Sequence, residues 1–539
     1  MDPLPPLESP ALSPKVFPFL YLGDPGIRNA YFLGVAGLTL MGYLTLTLHL
    51  NLALFAAALL RLRPRAFSAF YGTVWWTLAL LLVYHESFLP PPSALNANAA
   101  DLSDFSVSFI LDFLKSAVNP KLTLALLSTL VLTALLSAYV RLTVFALGAL
   151  LFSLNAGSLT GTQAESATLT ADLSDNPLDM ELPPTEENLN AYLNAFYAHE
   201  NTRRTLFPAT LPSGNGDFDI VLLNICSLAS DDLSYSGLEK ADFLSRLDIT
   251  FENFNSATSY SGPATLRLLK SACGQSSHAS LYTSRPECEL FTALSLLNFK
   301  EQAFFDHSGT FGDYLKSLKE VGGLSAPLAA QRDYRVALKA FDGEGIYAAS
   351  DVFNHYLKEG QGRTGESTLT LMNLIALHDG NTDLSGRPLD FKTRAISLFK
   401  DISEFMEALE KSGRKTLLIV IPEHGAALRG DRIQLSRLRD IPSPSLTRVP
   451  AGLKFVGLKR PLEKHSVTEP ASYQALSELI ARILNGGFMR EDSTLSTVTL
   501  TSHLPVTEEV SENANATVIR YADAYYLRLE NRPWIRYRQ

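Results

Sequence analysis

Four short stretches of this 539-residue chain bring together residue types that do chemistry. They read Asn224-Ile225-Cys226-Ser227, Tyr260-Ser261-Gly262-Pro263, His378-Asp379-Gly380-Asn381 and Pro422-Glu423-His424-Gly425. The thiolate, carboxylate and imidazole of Cys226, Glu423 and His424 are ligand types that suit zinc. Ser261 stands just before a helical pattern, where unpaired helix N–H groups favour a phosphoryl oxygen. A zinc ion beside that hydroxyl would lower its pKa and make it nucleophilic at neutral pH. Each piece also has a plainer reading. An isolated Ser-x-Pro more often caps a helix, and a cysteine at a strand end is more often a small buried hydrophobe. Glu423 and His424 would face opposite ways on an intact strand; they converge only if the strand has already broken, which Pro422 and Gly425 favour.

The elements that must position these residues are legible around them. Phe218–Ile225, Leu369–Leu377, Lys415–Ile421 and Leu453–Leu458 are short apolar runs of strand type, and Phe391–Leu409 and Ser472–Leu484 carry helical periodicity. Strands alternating with helices predict an α/β domain on a mostly parallel sheet, in which ligands gather at the carboxyl ends of the strands. Three of the four stretches close such runs. Cys273 and Cys288 bracket a loop of about 15 residues, and a disulfide there would contribute about 3 kcal/mol through loop entropy in an oxidising compartment. That pairing leaves Cys226 as the odd thiol, with pairings through Cys226 still open.

The α/β pattern occupies Leu189–Gln539; the chain before it is different. Charged residues make up 19% of the whole and hydrophobic ones 46%, with a net charge of −9 and a mean hydropathy of +0.08. The acidic balance excludes the basic footprint of a nucleic-acid-binding domain. Most of the apolar excess lies before residue 156. Asn29–Leu60 has no formal charge and reads as a helical hairpin turning near Thr47–Asn51; Ala66–Tyr84, Leu122–Val140 and Leu142–Leu154 follow. These runs lack the polar face of a soluble helix, so the expectation is a transmembrane helical bundle of about five spans over residues 1–155 rather than a soluble helical bundle. Arg61, Arg63, Arg65 and Arg141 fall in loops on one side, which by the positive-inside rule puts the N-terminus in the cytoplasm and everything after residue 155 outside. Residues 156–188 hold acidic and small polar residues but no Lys or Arg, the composition of a flexible tether.

Longer stretches around the same residues resemble the cellulose phosphoethanolamine transferases of bacterial cellulose synthesis systems (the BcsG type), within the alkaline-phosphatase-like and sulfatase superfamily. They are Asn224–Leu228, Phe254–Ala264, Ser271–Gln275, Leu377–Asn381, Pro422–Gly425, Gly430–Arg432 and Leu438–Ser445. The resemblance implies a zinc-dependent enzyme of the bacterial inner membrane with a periplasmic catalytic domain. Ser261 would take phosphoethanolamine from phosphatidylethanolamine and pass it to a 6-hydroxyl of nascent cellulose, beside the subunits of a cellulose synthase complex. Zinc would be held by Cys226, Glu423 and His424, with Ser261 at the fourth position. Tyr260 and Arg439 are the substrate-binding candidates, with a surface salt bridge as the other reading of Arg439. His378 is the candidate for proton transfer, or else a structural histidine. Asp431 and Arg432 read as a turn. The rival readings are a lipid A phosphoethanolamine transferase, a phosphoglycerol transferase, a sulfatase and a non-catalytic scaffold. Lipid A enzymes use Thr as nucleophile, an acidic residue at the place of Cys226 and Asp at the place of Glu423, and the sulfatase motif has Arg where this chain has Thr265.

Overall fold

The computed structural model of the protein describes residues 20–62, 65–89, 120–160, 182–363, 365–530 and 532–537. These residues form two compact units, one ending at residue 160 and one beginning at residue 182.

Among the described residues the first unit contains five apolar helices: α1 (Asn29–Leu40), α2 (Leu48–Ala58), α3 (Arg65–Glu86), α4 (Pro120–Leu136) and α5 (Thr143–Thr160). The five runs of the sequence are thus five helices, but they are not five spans. Among the described residues only Phe67–Glu86, within α3, is long and apolar enough to cross a membrane. At about 1.5 Å per residue, helices the length of α1 and α2 reach well under the roughly 30 Å of a hydrocarbon core. The hairpin also turns earlier than the composition suggested: α1 ends at Leu40, and Leu48 to Asn51 already belong to α2. Apolar side chains point outward along these helices, with Phe70 and Leu80 each 69% exposed. Asn29, Asn51, Glu86, Thr133 and Ser153 are buried instead. One Glu86 oxygen accepts from the Asn51 amide and from the Thr47 backbone, both at 2.6 Å.

The second unit opens with α6 (Glu186–Thr202), whose first turn is capped by the Thr185 side chain. Residues 186–188, assigned to the tether on composition, therefore belong to this helix, and 156–160 to the end of α5. Residues 161–181, the bulk of the expected tether, lie outside the described residues.

Seven strands form the main sheet: β1 (Asp219–Ile225), β2 (Ile249–Phe251), β3 (Phe299–Phe305), β4 (Ser367–Leu374), β5 (Thr416–Pro422), β6 (Gly452–Val456) and β7 (His465–Val467). Their order is β7-β2-β6-β5-β1-β4-β3. Strands β3, β4, β1 and β5 run parallel, whereas β6 is antiparallel to both β5 and β2. The sheet is thus mostly parallel, as expected, and mixed only because β6 runs against the other strands. The cause lies in the connection from β5 to β6, which has no long helix to carry the chain back across the sheet. It holds one four-residue helix, Pro444–Thr447, and the chain re-enters at the edge it left. Every residue of β1 and β5 is buried, as expected of strands covered on both faces. Ile220 and Leu222 face one core with α7 (Ser261–Leu269) and α9 (Tyr473–Gly486). Val221 and Leu223 face the other, against α8 (Phe391–Ser412). A separate four-stranded antiparallel sheet, β8 (Val510–Asn513), β9 (Ala516–Tyr521), β10 (Ala524–Leu529) and β11 (Ile535–Tyr537), packs on α6. No signal in the sequence pointed to this second sheet.

Candidate active site

Strands β1 and β5 are neighbours and end together, so the residues that follow them meet. Cys226 follows β1, its N–H donating to the Leu374 carbonyl at 2.8 Å, and Ser227 then turns the chain with φ 68°. A non-glycine residue in the left-handed region costs on the order of 1 kcal/mol or more and marks a place where the fold dictates the backbone. The β5 strand ends at Pro422: Glu423 N–H makes a last link to the Ile225 carbonyl at 2.9 Å, and the His424 carbonyl accepts from the Leu228 N–H at 2.6 Å. This break turns Glu423 and His424 to the same side, as the proline and glycine around them suggested. Gly425 is required there, because a Cβ would lie 2.7 Å from Ala229 Cβ and 2.9 Å from Asp232 Oδ2. Asp232 ties the two loops together, accepting from Ala229 N–H at 2.9 Å and Ala426 N–H at 2.8 Å.

Cys226, Glu423 and His424 are all buried, and their ligand atoms lie within 4.8 Å of one another. Ser261, the first residue of α7, places its Oγ 3.2 Å from Cys226 Sγ and 3.2 Å from His424 Nε2; Sγ and Nε2 are 3.9 Å apart. Tetrahedral ligands at zinc bond lengths stand roughly 3.3 to 3.6 Å from one another, so the spacing suits a single zinc-sized ion. The free valences agree. His424 Nδ1 donates to the Gly425 carbonyl at 2.8 Å, which leaves Nε2 with its lone pair facing Ser261. Glu423 Oε2 is buried with no hydrogen-bond partner, and a carboxylate oxygen stranded in that way is suited to a cation.

Glu423 Oε1, by contrast, is crowded. It accepts from Asn373 Nδ2 at 2.6 Å, Thr265 Oγ1 at 3.0 Å and Tyr314 OH at 3.3 Å. Thr265, where the sulfatase motif has arginine, sits one turn beyond Ser261 on the same face of α7, so its position was readable from helical spacing. Asn373 is the polar residue interrupting an otherwise apolar β4, a weaker signal. Neither it nor Tyr314 was identified from sequence.

The remaining expected residues lie around this centre. Arg439 Nη1 donates to Ser227 Oγ at 3.4 Å and its Nη2 to His378 Nε2 at 3.3 Å. Among the described residues no ion pair involves Arg439, which sets aside the surface salt-bridge reading. His378 Nδ1 donates to the Asp379 carbonyl at 2.7 Å, so its hydrogen bonds run to Arg439 and Asp379 rather than to Ser261. Burial and then the Arg439 charge push its pKa down to about 3. Its Nδ1 donating to Asp379 and its Nε2 accepting from Arg439 are the hydrogen bonds of a neutral imidazole. Burial, helped by the Glu423 carboxylate, lifts the Cys226 thiol to about 12, and burial holds His424 well below the ordinary histidine value. A cation among these groups would reverse the thiol's tendency and keep His424 a neutral ligand. The Tyr260 hydroxyl donates to Asp440 Oδ1 at 3.1 Å. Asp431 caps a turn, accepting from Ile433 and Gln434 N–H groups at 2.7 and 2.8 Å.

Asn513, on β8, was not foreseen at all. Its Oδ1 accepts from Thr258 Oγ1 at 2.8 Å and from Ser259 N–H at 3.2 Å. Its Nδ2 donates to the Arg439 and Asp440 carbonyls at 3.1 and 2.9 Å. One side chain therefore joins the loop leading to Ser261 with the loop carrying Arg439. The site opens into a cleft of about 840 Å³ lined by Tyr260, Ser261, His307, Tyr314, Phe341, His378 and Arg439. A Cβ at Gly262 would meet no atom within 4 Å, so the start of α7 is open to a ligand. The Cys273–Cys288 disulfide is formed and Cys226 is free, the division of cysteines that the loop spacing favoured.

A half-buried serine at a helix start, facing a thiol, a carboxylate and an imidazole across the ends of parallel strands in an α/β sheet, is the arrangement that the resemblance to alkaline-phosphatase-like domains implies. Residues 28–155 match the BcsG N-terminal domain and 174–534 the C-terminal domain of the cellulose biosynthesis protein BcsG. The chain belongs to the BcsG family. It is 40% identical over 537 residues to the cellulose biosynthesis protein BcsG of Salmonella typhimurium and 39% identical over 540 residues to that of Escherichia coli K12, in both cases covering 95% of this chain and 96% of the relative. Among solved structures, the chain is similar to an alkaline phosphatase superfamily protein from Vibrio parahaemolyticus (12% identity, TM-score 0.46, covering 63% of this chain and 86% of that one). It is also similar to the integral membrane lipooligosaccharide phosphoethanolamine transferase A of Neisseria meningitidis (12% identity, TM-score 0.36, covering 72% and 79%).

Proposed function

We propose that this protein is a zinc-dependent transferase that moves phosphoethanolamine from phosphatidylethanolamine to hydroxyl groups of nascent cellulose. The observation that carries this reading is the placement of Ser261 Oγ, 3.2 Å from both Cys226 Sγ and His424 Nε2 at the N-terminus of α7. Curated relatives named as cellulose biosynthesis proteins support the acceptor, and the outward-facing apolar helices of the first unit support a membrane-borne donor. Cys226, Glu423 and His424 would hold the zinc, whose charge favours the ionised form of a nearby hydroxyl and offsets charge on the transferring phosphoryl group.

Two steps follow. Ser261 Oγ gives up its proton and attacks phosphorus, an Oγ–P bond forms, the P–O bond to glycerol breaks, and the proton lost by Ser261 balances the one taken up by the departing diacylglycerol oxygen. A cellulose hydroxyl then attacks the phosphoserine phosphorus, loses its proton, and returns Ser261 as leaving group. Arg439 holds phosphoryl oxygens, and the first-turn N–H groups of α7 point at the same oxygens. Tyr260 borders the acceptor's approach. His378 Nε2 serves as a hydrogen-bond acceptor that orients Arg439. The chain works in the bacterial inner membrane with its N-terminus in the cytoplasm and its second unit in the periplasm, beside cellulose synthase subunits.

Ser261→Ala should remove the phosphoethanolamine signal from secreted cellulose in solid-state NMR, a loss of at least about a thousandfold, with the protein still present in the membrane. Persistent modification would overturn the nucleophile. Wild-type protein should contain about one zinc and Cys226→Ala much less; an unchanged metal content in that variant removes Cys226 from the ligand set. Reporter fusions after Arg65 and after Asn188 should give opposite sides, and the same side for both would overturn the topology.

A further inference from the structure

We infer that His307 and Asn373 form a positioning relay that fixes which oxygen of Glu423 is offered to the metal. The inference rests on the zinc reading above and names two residues that the reading does not use. The relay is a chain of hydrogen bonds with one direction. Gly309 N–H donates to His307 Nδ1 at 3.1 Å, so His307 carries its proton on Nε2. That Nε2–H donates to Asn373 Oδ1 at 2.8 Å. Asn373 Nδ2 then donates to Glu423 Oε1 at 2.6 Å and to Asn224 Oδ1 at 2.7 Å.

A side-chain amide can turn over and exchange its donor for its acceptor. If Asn373 turned, two oxygens would meet at Glu423 Oε1 and two more at Asn224 Oδ1. The His307 donor prevents this, because a turned amide would set an N–H against its N–H. The rings of Phe305, stacked at 5.1 Å, and Tyr314, at 5.7 Å, hold the imidazole in place. With Oε1 engaged by Asn373, Thr265 and Tyr314, the carboxylate has no rotation that improves its hydrogen bonding. Oε2 stays bare and buried, on a carboxylate that has an oxygen within 4.8 Å of the ligand atoms of Cys226 and His424. Outer partners of metal ligands commonly change metal affinity by about ten- to a hundredfold.

Zinc affinity of the full-length protein in detergent, measured by chelator competition, tests the relay alongside cellulose modification. Asn373→Leu, which keeps the volume and removes the donor, should weaken zinc binding by about ten- to a hundredfold. His307→Phe keeps the ring but frees the amide, and should weaken binding about tenfold; His307→Gln, which retains an N–H donor, should restore most of that loss. Because His307 acts through Asn373, the double variant His307→Phe/Asn373→Leu should bind no more weakly than Asn373→Leu alone. Wild-type affinity in His307→Phe, or additive losses in the double variant, would overturn the relay while leaving the zinc site intact. A wild-type protein that binds no zinc would overturn the zinc reading itself, and the relay with it. His307→Gln keeps both tests readable should Asn373→Leu fail to fold.

Discussion

The two units of this protein solve opposite problems with the same residue types. In the second unit, strands such as β1 and β5 are buried throughout, and apolar side chains fill two cores on either side of the sheet. In the first, Phe70, Leu80, Leu124 and Val144 point outward while Asn29, Asn51, Glu86 and Ser153 are buried. Outward leucine is costly in water and ordinary in lipid, where a glutamate must turn inward and find partners inside the protein. The contrast teaches that the surrounding medium, not residue type, sets the sign of the pattern. The second unit nevertheless repeats the first unit's arrangement in one place, the candidate active site, where Cys226, Glu423, His424 and Asn373 are buried. Both buried polar clusters hold together by satisfying one carboxylate oxygen, Glu86 in the first unit and Glu423 in the second.

Substitutions can break this comparison. The largest effect should come from Leu222→Ala in β1, which empties a fully buried site and should cost about 2–5 kcal/mol in denaturant unfolding of the second unit. A cost below 1 kcal/mol would mean that the core there is not packed as described. In the first unit, Leu80→Lys should cost about 2.5–3.5 kcal/mol of membrane insertion if α3 faces lipid, read as the fraction of protein retained in washed membranes. Neutrality at Leu80 would mean that this face meets water. Replacing Cys273 and Cys288 together by Ser should lower unfolding stability by about 3 kcal/mol and leave the zinc content unchanged.

Smaller effects sharpen the picture of the site. Asn513→Ala should lower modification of cellulose about tenfold, because it releases the loop before Ser261 from the loop of Arg439 and misplaces one against the other; the fold and the metal should survive. Unchanged activity would show that Asn513 only supports β8. The smallest effect is on the acid side. Burial pushes the pKa of His307 down to about 4, against about 6.5 in an unfolded chain. The native state therefore binds fewer protons between those values, and the stability that His307 contributes above pH 6.5 is lost as the pH falls toward 4. At pH 5.5 that loss is about 1 kcal/mol, which His307→Gln should abolish relative to its own stability at pH 7.5. Parallel pH profiles of the two proteins would refute it.

Much of the centre was legible beforehand. Cys226, Ser261, Glu423 and His424 stood out because each ended or began an element whose periodicity was clear, and carboxyl ends of neighbouring strands collect ligands. The disulfide was legible because one short loop joined two of three cysteines. Other features were not. The antiparallel β6 hid behind an ordinary apolar run, since strand direction depends on the path of the connection and not on the strand's own residues. Five apolar runs suggested five spans, because hydropathy registers composition whereas crossing a membrane needs uninterrupted length.

By itself, then, the amino-acid sequence determined the local matters: which segments alternate as strand and helix, where the chain is starved of charge, and which side chains carry reactive atoms. Only the tertiary structure decided that Asn513, 252 positions beyond Ser261, holds the loop before Ser261, that Asn373 and Thr265 converge on one oxygen of Glu423, and that His378 bonds to Arg439. Periodicity reports the few residues within a turn or a strand pair, whereas hydrogen bonds between distant loops form only once the sheet has set those loops side by side. The charge state of a histidine in turn depends on the water and the neighbours that this closure removes and supplies.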